Sequence, residues 1–125
     1  PEAWAYRNTA QESVIAVVDT GVRLTHEDLK LNLWRNPGES GGGKETNGLD
    51  DDNNGYVDDV HGIDGVLNNG DPADTQGHGT AVASIAGAVG NNCVGMSGVA
   101  WGVKIMALKA NSGSAAGLEA SGIVK

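Results

Sequence analysis

Residues 13–18, Ser-Val-Ile-Ala-Val-Val, are short, apolar on both alternating faces and rich in β-branched side chains. That pattern predicts a strand buried on both faces in a parallel sheet. It stops at Asp19-Thr20-Gly21. From 22 to 49 no period holds, and Asn36-Pro37-Gly38 and Gly41-Gly42-Gly43 break the chain. The apolar positions in 29–34 fit either a turn of helix or a short strand. Residues 56–63 predict a second strand leaving an acidic loop, and 75–79 a further loop. Residues 80–89 (TAVASIAGAV) are nearly all small and apolar, which predicts a helix packed on most sides. Gly90-Asn91-Asn92 stops it. Residues 103–107 predict another buried strand, and Ser114 caps a last helix still running at Lys125. This order of elements predicts an α/β fold with a parallel sheet, without repeat or linker over residues 1–125.

Composition narrows the function. The net charge is −8 and the eight Lys and Arg are scattered, whereas phosphate binding needs clustered cations. Nucleic acid is therefore excluded as a partner. No apolar run is long enough to span a bilayer, so a membrane is excluded too. Cys93 is the single cysteine. An intrachain disulfide is impossible, and a buried, inert thiol is expected. The chain starts at Pro1 without Met or a leader-like segment, the pattern expected of a processed or excised product.

The acidic residues concentrate between 45 and 74. In Asp50-Asp51-Asp52-Asn53-Asn54-Gly55-Tyr56-Val57-Asp58-Asp59, oxygen-bearing side chains alternate before a glycine, a spacing that wraps a hard cation. Asp50, Asp52, Asn54 and the Tyr56 carbonyl fit, with Asp58 or Asp59 closing the shell. An EF-hand would need Glu where His61 stands, so the loop is not one. A weaker cluster, Asp64, Asn69, Asp71 and Asp74, reads equally well as turns. Asp19 lies just past a predicted parallel strand, at the edge where α/β sheets build sites. His78 sits between Gly77 and Gly79 at the mouth of the predicted helix, where the backbone turns sharply and leaves the imidazole uncrowded. His26 and His61 lack such a setting.

Taken together, Val17-Val18-Asp19-Thr20-Gly21, Thr25-His26-Glu27-Asp28-Leu29, Gly77-His78-Gly79-Thr80 and Gly98-Val99-Ala100 resemble the subtilase family of serine proteases. The resemblance spans nearly the whole chain. It implies a three-layer subtilisin-like fold, incomplete at the C-terminal side, and an Asp-His-Ser endopeptidase in which Asp19 orients His78 and His78 is general base and then general acid. The family's serine lies in a Gly-Thr-Ser element. Ser13, Ser40, Ser84, Ser97, Ser112, Ser114 and Ser121 all lack that setting, so this chain by itself is expected to be inactive. Ala81 and Ser84 depart from the His and Gly usual there, which bears on helix packing.

The resemblance also implies calcium at the acidic loop. It implies a second ion bound by Asp28, the Asn92 side chain and the carbonyls of Gly90, Val94 and Met96. Ser112, Gly113 and Ser114 would line the substrate cleft. The implied partners are a peptide or protein substrate, a second chain with the serine-bearing half, and a propeptide or protein inhibitor. The implied location is secreted or extracytoplasmic. A small dimeric aspartic protease would also use Asp-Thr-Gly, but such proteins are nearly all strand. An inert calcium-binding fragment or pseudo-protease module is the main alternative.

Overall fold

The computed structural model describes residues 2–6, 10 and 13–112. Three strands, β1 (Val14–Asp19), β2 (Gly62–Asp64) and β3 (Lys104–Lys109), form one parallel sheet in the order β1-β3-β2. Helix α1 (Glu2–Tyr6) comes before β1 and helix α2 (His78–Gly87) between β2 and β3. The fold is thus α/β with an open parallel sheet, as expected.

Apolar side chains from β1, β3 and the residue before it, α2 and the 22–33 segment build the core: Val17, Val22, Leu29, Leu33, Ala83, Val103, Ile105 and Ala107. Residues 29–34 are neither helix nor strand. They form turns with one bridge, Leu33 to Ile105, and Leu29 and Leu33 pin the loop to the core. Helix α1 docks through Trp4, whose ring lies 5.1 Å from that of Trp101 and whose Nε1–H donates to the Val99 carbonyl.

Several expectations change. The strand predicted over 56–63 is confined to Gly62–Asp64. The oxygens of Asp50, Asp52 and Asn54 capture backbone N–H groups at 54–56, leaving a turn where a ladder would begin. Strand β1 is not buried on both faces. Val17 is covered, but Val14, Ile15 and Val18 are exposed, so neither face of the strand is fully packed among the described residues. Helix α2 buries Gly79, Thr80, Ala83, Ser84 and Gly87 and exposes Val82 and Ile85, so one face alone is packed. Cys93 is exposed. It lies beyond the end of α2, in a loop where its own φ is +60°. The expected helix at Ser114 lies outside the described residues.

Candidate catalytic and metal site

The parallel register aligns the last residues of the strands, Asp19 opposite Lys109 and Asp64 opposite Lys109. Asp19 therefore stands on the carboxyl edge of the sheet, where the chain leaves each strand and side chains are free to converge. Helix α2 begins beside it. Gly77 has φ +98°, a conformation few side-chain-bearing residues adopt. A Cβ at Gly79 would lie 2.2 Å from the Gly21 carbonyl and 3.1 Å from the Asp19 Cβ. The two glycines let the helix mouth turn and close on the Asp19 corner, bringing His78 over it.

His78 Nδ1 lies 2.8 and 2.9 Å from the two Asp19 oxygens. The Asp19 side chain is 16% exposed and that of His78 72%. One ring nitrogen thus faces a shielded carboxylate while the ring itself is open to solvent. Partial burial works against the Asp19 charge, yet hydrogen bonds from His78 and from the Thr20 N–H bring its pKa below the usual carboxylate value. The bond to Asp19 and then its charge raise the His78 pKa above 6.5, against some desolvation and with help from Asp74.

The His78 contribution to stability is present below pH 6.5 and fades as pH rises through its higher folded value. That of Asp19 is present above pH 3.8 and fades as pH falls through its lower folded value. Titration of the His78 ring by NMR is expected to give a midpoint above 6.5, and in Asp19→Asn a midpoint lower than in the parent chain.

The acidic loop folds around residues 36–39. Asn36 Nδ2 donates to Asp52 and to Asp59, each at 2.9 Å, and Asn54 Nδ2 donates to Asp59 at 3.0 Å. Burial, opposed by these two amides and reinforced by the charges of Asp52 and Glu39, raises the Asp59 pKa. Glu39 is fully buried. Its Oε1 accepts from the N–H groups of Asp51 and Asp52, at 2.6 and 3.1 Å. Its Oε2 is buried with no partner. Carboxylate oxygens of Glu39, Asp50 and Asp52 come within 4.8 Å of one another, in the one such acidic group among the described residues. Asp50 and Asp52 were legible as candidate ligands from their spacing, but Glu39, which folding adds to that group, was missed. Its only sequence signal was a carboxylate just after the Asn36-Pro37-Gly38 turn.

The other predicted residues distribute as follows. Asp28 is buried, and its oxygens accept from Asn92 Nδ2 at 2.7 Å and the Met96 N–H at 2.9 Å. Asn92 Oδ1 accepts from the Val94 N–H, and residues 91–97 line a cavity of about 330 Å³. Asp64 lies 3.2 Å from Lys109 Nζ and exchanges two backbone hydrogen bonds with Asn69, whose Oδ1 accepts from the Asp71 N–H, while Asp74 bonds to Thr20 and Thr80, so the weaker acidic cluster forms turns. Ser112 is exposed beyond β3, and Gly113 and Ser114 lie outside the described residues.

Residues 10–125 match the Subtilase family. This chain belongs to that family. Similar subtilases include Subtilisin-like protease 1 of Plasmodium berghei, 44% identical over 103 residues, which cover 82% of this chain and 17% of that protein. Subtilisin-like protease 1 of Plasmodium falciparum is 46% identical over 96 residues, covering 77% and 14%. Thermitase of Thermoactinomyces vulgaris is 34% identical over 116 residues, covering 91% and 32%. The chain thus spans less than a fifth of the two Plasmodium subtilases.

Proposed function

We propose that Asp19 and His78 are the acid–base members of an Asp-His-Ser triad in a serine endopeptidase, and that the nucleophilic serine comes from sequence other than these 125 residues. The observation that carries this reading is the pair of contacts from His78 Nδ1 to Asp19 under an exposed ring. With Nδ1–H donated to the carboxylate, Nε2 keeps its lone pair. As the serine oxygen bonds to the substrate carbonyl carbon, Nε2 takes the hydroxyl proton. It then gives that proton to the amine as the peptide C–N bond breaks, while Asp19 stabilises the imidazolium throughout. Two of the serines in hand do not suit the role, since the Ser84 hydroxyl donates to the Thr80 carbonyl and the Ser40 hydroxyl is buried without a partner.

We also infer that the acidic loop holds calcium through Glu39, Asp50 and Asp52, with Asn54, the Tyr56 carbonyl and Asp59 beside them. The unpartnered, buried Glu39 Oε2 supports this reading, since a charged oxygen without a donor is costly in that position. Calcium would neutralise the crowded carboxylates and stiffen the loop; it takes no part in the proton transfers. A second ion at Asp28, Asn92 and the carbonyls of Gly90, Val94 and Met96 requires the Asn92 amide to turn its oxygen inward, because both Asp28 oxygens now accept from N–H donors. A secreted or extracytoplasmic location goes with this reading, since extracellular calcium is high enough to fill sites of about 10⁻⁴ to 10⁻³ M. Peptides or proteins are the substrates, with Ser112 toward the cleft.

Labelling with a fluorophosphonate probe in calcium, read by intact mass, tests the catalytic reading. Modification of a serine-bearing partner polypeptide or of the longer parent protein is expected, and none on the isolated chain. Absence of labelling in every form would favour an inert calcium-binding module instead.

A further inference from the structure

We propose that Asp74 is a positioning residue that holds His78 against Asp19, acting through the hydroxyls of Thr20 and Thr80. The inference rests on reading Asp19 and His78 as the acid–base pair. Asp74 precedes the helix and does not touch either member. Its carboxylate is nonetheless the point on which the polar groups around both of them converge.

Two hydroxyl relays end there. Thr20 Oγ1 accepts the Gly79 N–H at 2.9 Å and donates to Asp74 Oδ1 at 3.0 Å. Thr80 Oγ1 accepts the Arg23 N–H at 3.0 Å and donates to Asp74 Oδ2 at 2.5 Å. Three backbone donors complete the set: Gln76 and Gly77 to Oδ1 at 2.8 and 2.9 Å, and Thr80 to Oδ2 at 3.0 Å. Thr20 follows Asp19 and Gly79 follows His78. The first relay therefore ties the residue after Asp19 to the residue after His78, and the second ties the helix to the segment leaving β1.

The chemistry requires a carboxylate at this point. A hydroxyl donates one proton, so its lone pairs face the backbone N–H only if that proton is drawn the other way. An ionised carboxylate accepts without donating and so sets the direction of both hydroxyls at once. The helix start also depends on it. The N-cap is Gly77, which has no side chain to satisfy the first N–H groups. Asp74 takes those of Gly77 and Thr80, and Thr20 takes that of Gly79. Burial opposes the charge of Asp74, but the Thr80 hydroxyl and the N–H groups of Gly77, Gln76 and Thr80 outweigh it and hold its pKa to about 2. Asp74 therefore stays charged over the whole range in which His78 titrates.

The test is NMR of the His78 ring in the 125-residue chain with calcium present, following the Nδ1–H proton and the ring titration. In the parent chain a slowly exchanging Nδ1–H and a titration midpoint above 6.5 are expected. In Asp74→Ala the Nδ1–H signal is expected to broaden beyond detection and the midpoint to fall toward 6.5. Loss of the nearby negative charge alone would lower the midpoint in that variant, so a second pair keeps Asp74 intact. Thr20→Val cuts the relay and is expected to lose the Nδ1–H signal, while Thr20→Ser restores the hydroxyl and the signal. A Leu29→Ala control, which weakens the core but leaves Asp74 and both hydroxyls in place, is expected to keep the signal wherever it is folded. Persistence of the Nδ1–H signal in Asp74→Ala and Thr20→Val would overturn the positioning role while leaving the Asp19–His78 pair standing. Absence of the signal in the parent chain would overturn the pair, and the positioning role with it.

Discussion

Replacing Asp19 with Asn will slow fluorophosphonate labelling of the serine-bearing parent protein by about 10⁴-fold. The size of the effect comes from tautomer control. In the wild type both carboxylate oxygens lie within 2.9 Å of His78 Nδ1, and neither can donate. The proton must therefore sit on Nδ1, leaving Nε2 free to accept. An Asn of the same shape offers an N–H₂ face, which turns the tautomer over and puts a proton on Nε2. The imidazolium also loses the adjacent charge that stabilises it. Folding should change little, because the Thr20 N–H still has an amide oxygen to donate to. Comparing labelling rates at matched folded fraction separates chemistry from stability. A loss of less than about tenfold, against the loss expected of a displaced tautomer, would mean that Asp19 does not govern His78.

The second large effect is a change of sign. In saturating calcium, Glu39→Gln is expected to be less stable than the parent chain; in chelator it is expected to be more stable. At a hundredfold excess over the dissociation constant, one bound ion contributes about 2.7 kcal/mol. For a domain of this size that corresponds to a rise in Tm of roughly 10 °C. The substituted amide keeps an oxygen for the N–H groups of Asp51 and Asp52, which Glu39 Oε1 now accepts. Its nitrogen takes the position of the partnerless Oε2 and donates toward the neighbouring carboxylates, relieving an uncompensated buried charge. With calcium that same nitrogen is a ligand lost. Melting the two proteins in calcium and in chelator gives four midpoints. Equal calcium shifts in both would remove Glu39 from the metal site, and no shift in the parent chain would remove the site itself.

The elements legible in the sequence were those with short-range causes. The β-branched run at 14–18, the small-residue run at 80–89 that overlaps most of α2 and the apolar run into β3 each carry their own signal, and the parallel sheet follows from their order. The segment 56–63 failed for an equally local reason. Asp50 and Asn54, just before it, take the backbone N–H groups of residues 54–56, which leaves a turn where the strand would start. Exposure was misjudged wherever it depended on what lies alongside. Val14, Ile15 and Val18 look interior by composition, and Cys93 looks like the end of a buried helix, yet all four are open.

The sequence by itself nominated Asp19, His78 and the acidic loop, because motif spacing and glycine placement are properties of the chain. Tertiary structure brought His78 onto Asp19 across a separation of 59 residues, the pairing that the family resemblance implied. It decided that Glu39 is carried under the acidic loop with one oxygen unpaired, and that Asp74 gathers the hydroxyls of Thr20 and Thr80. The physical reason is common to all three. A carboxylate has the same chemistry wherever it stands in a sequence, and its role is set by the donors and charges that folding brings within about 3 Å of it.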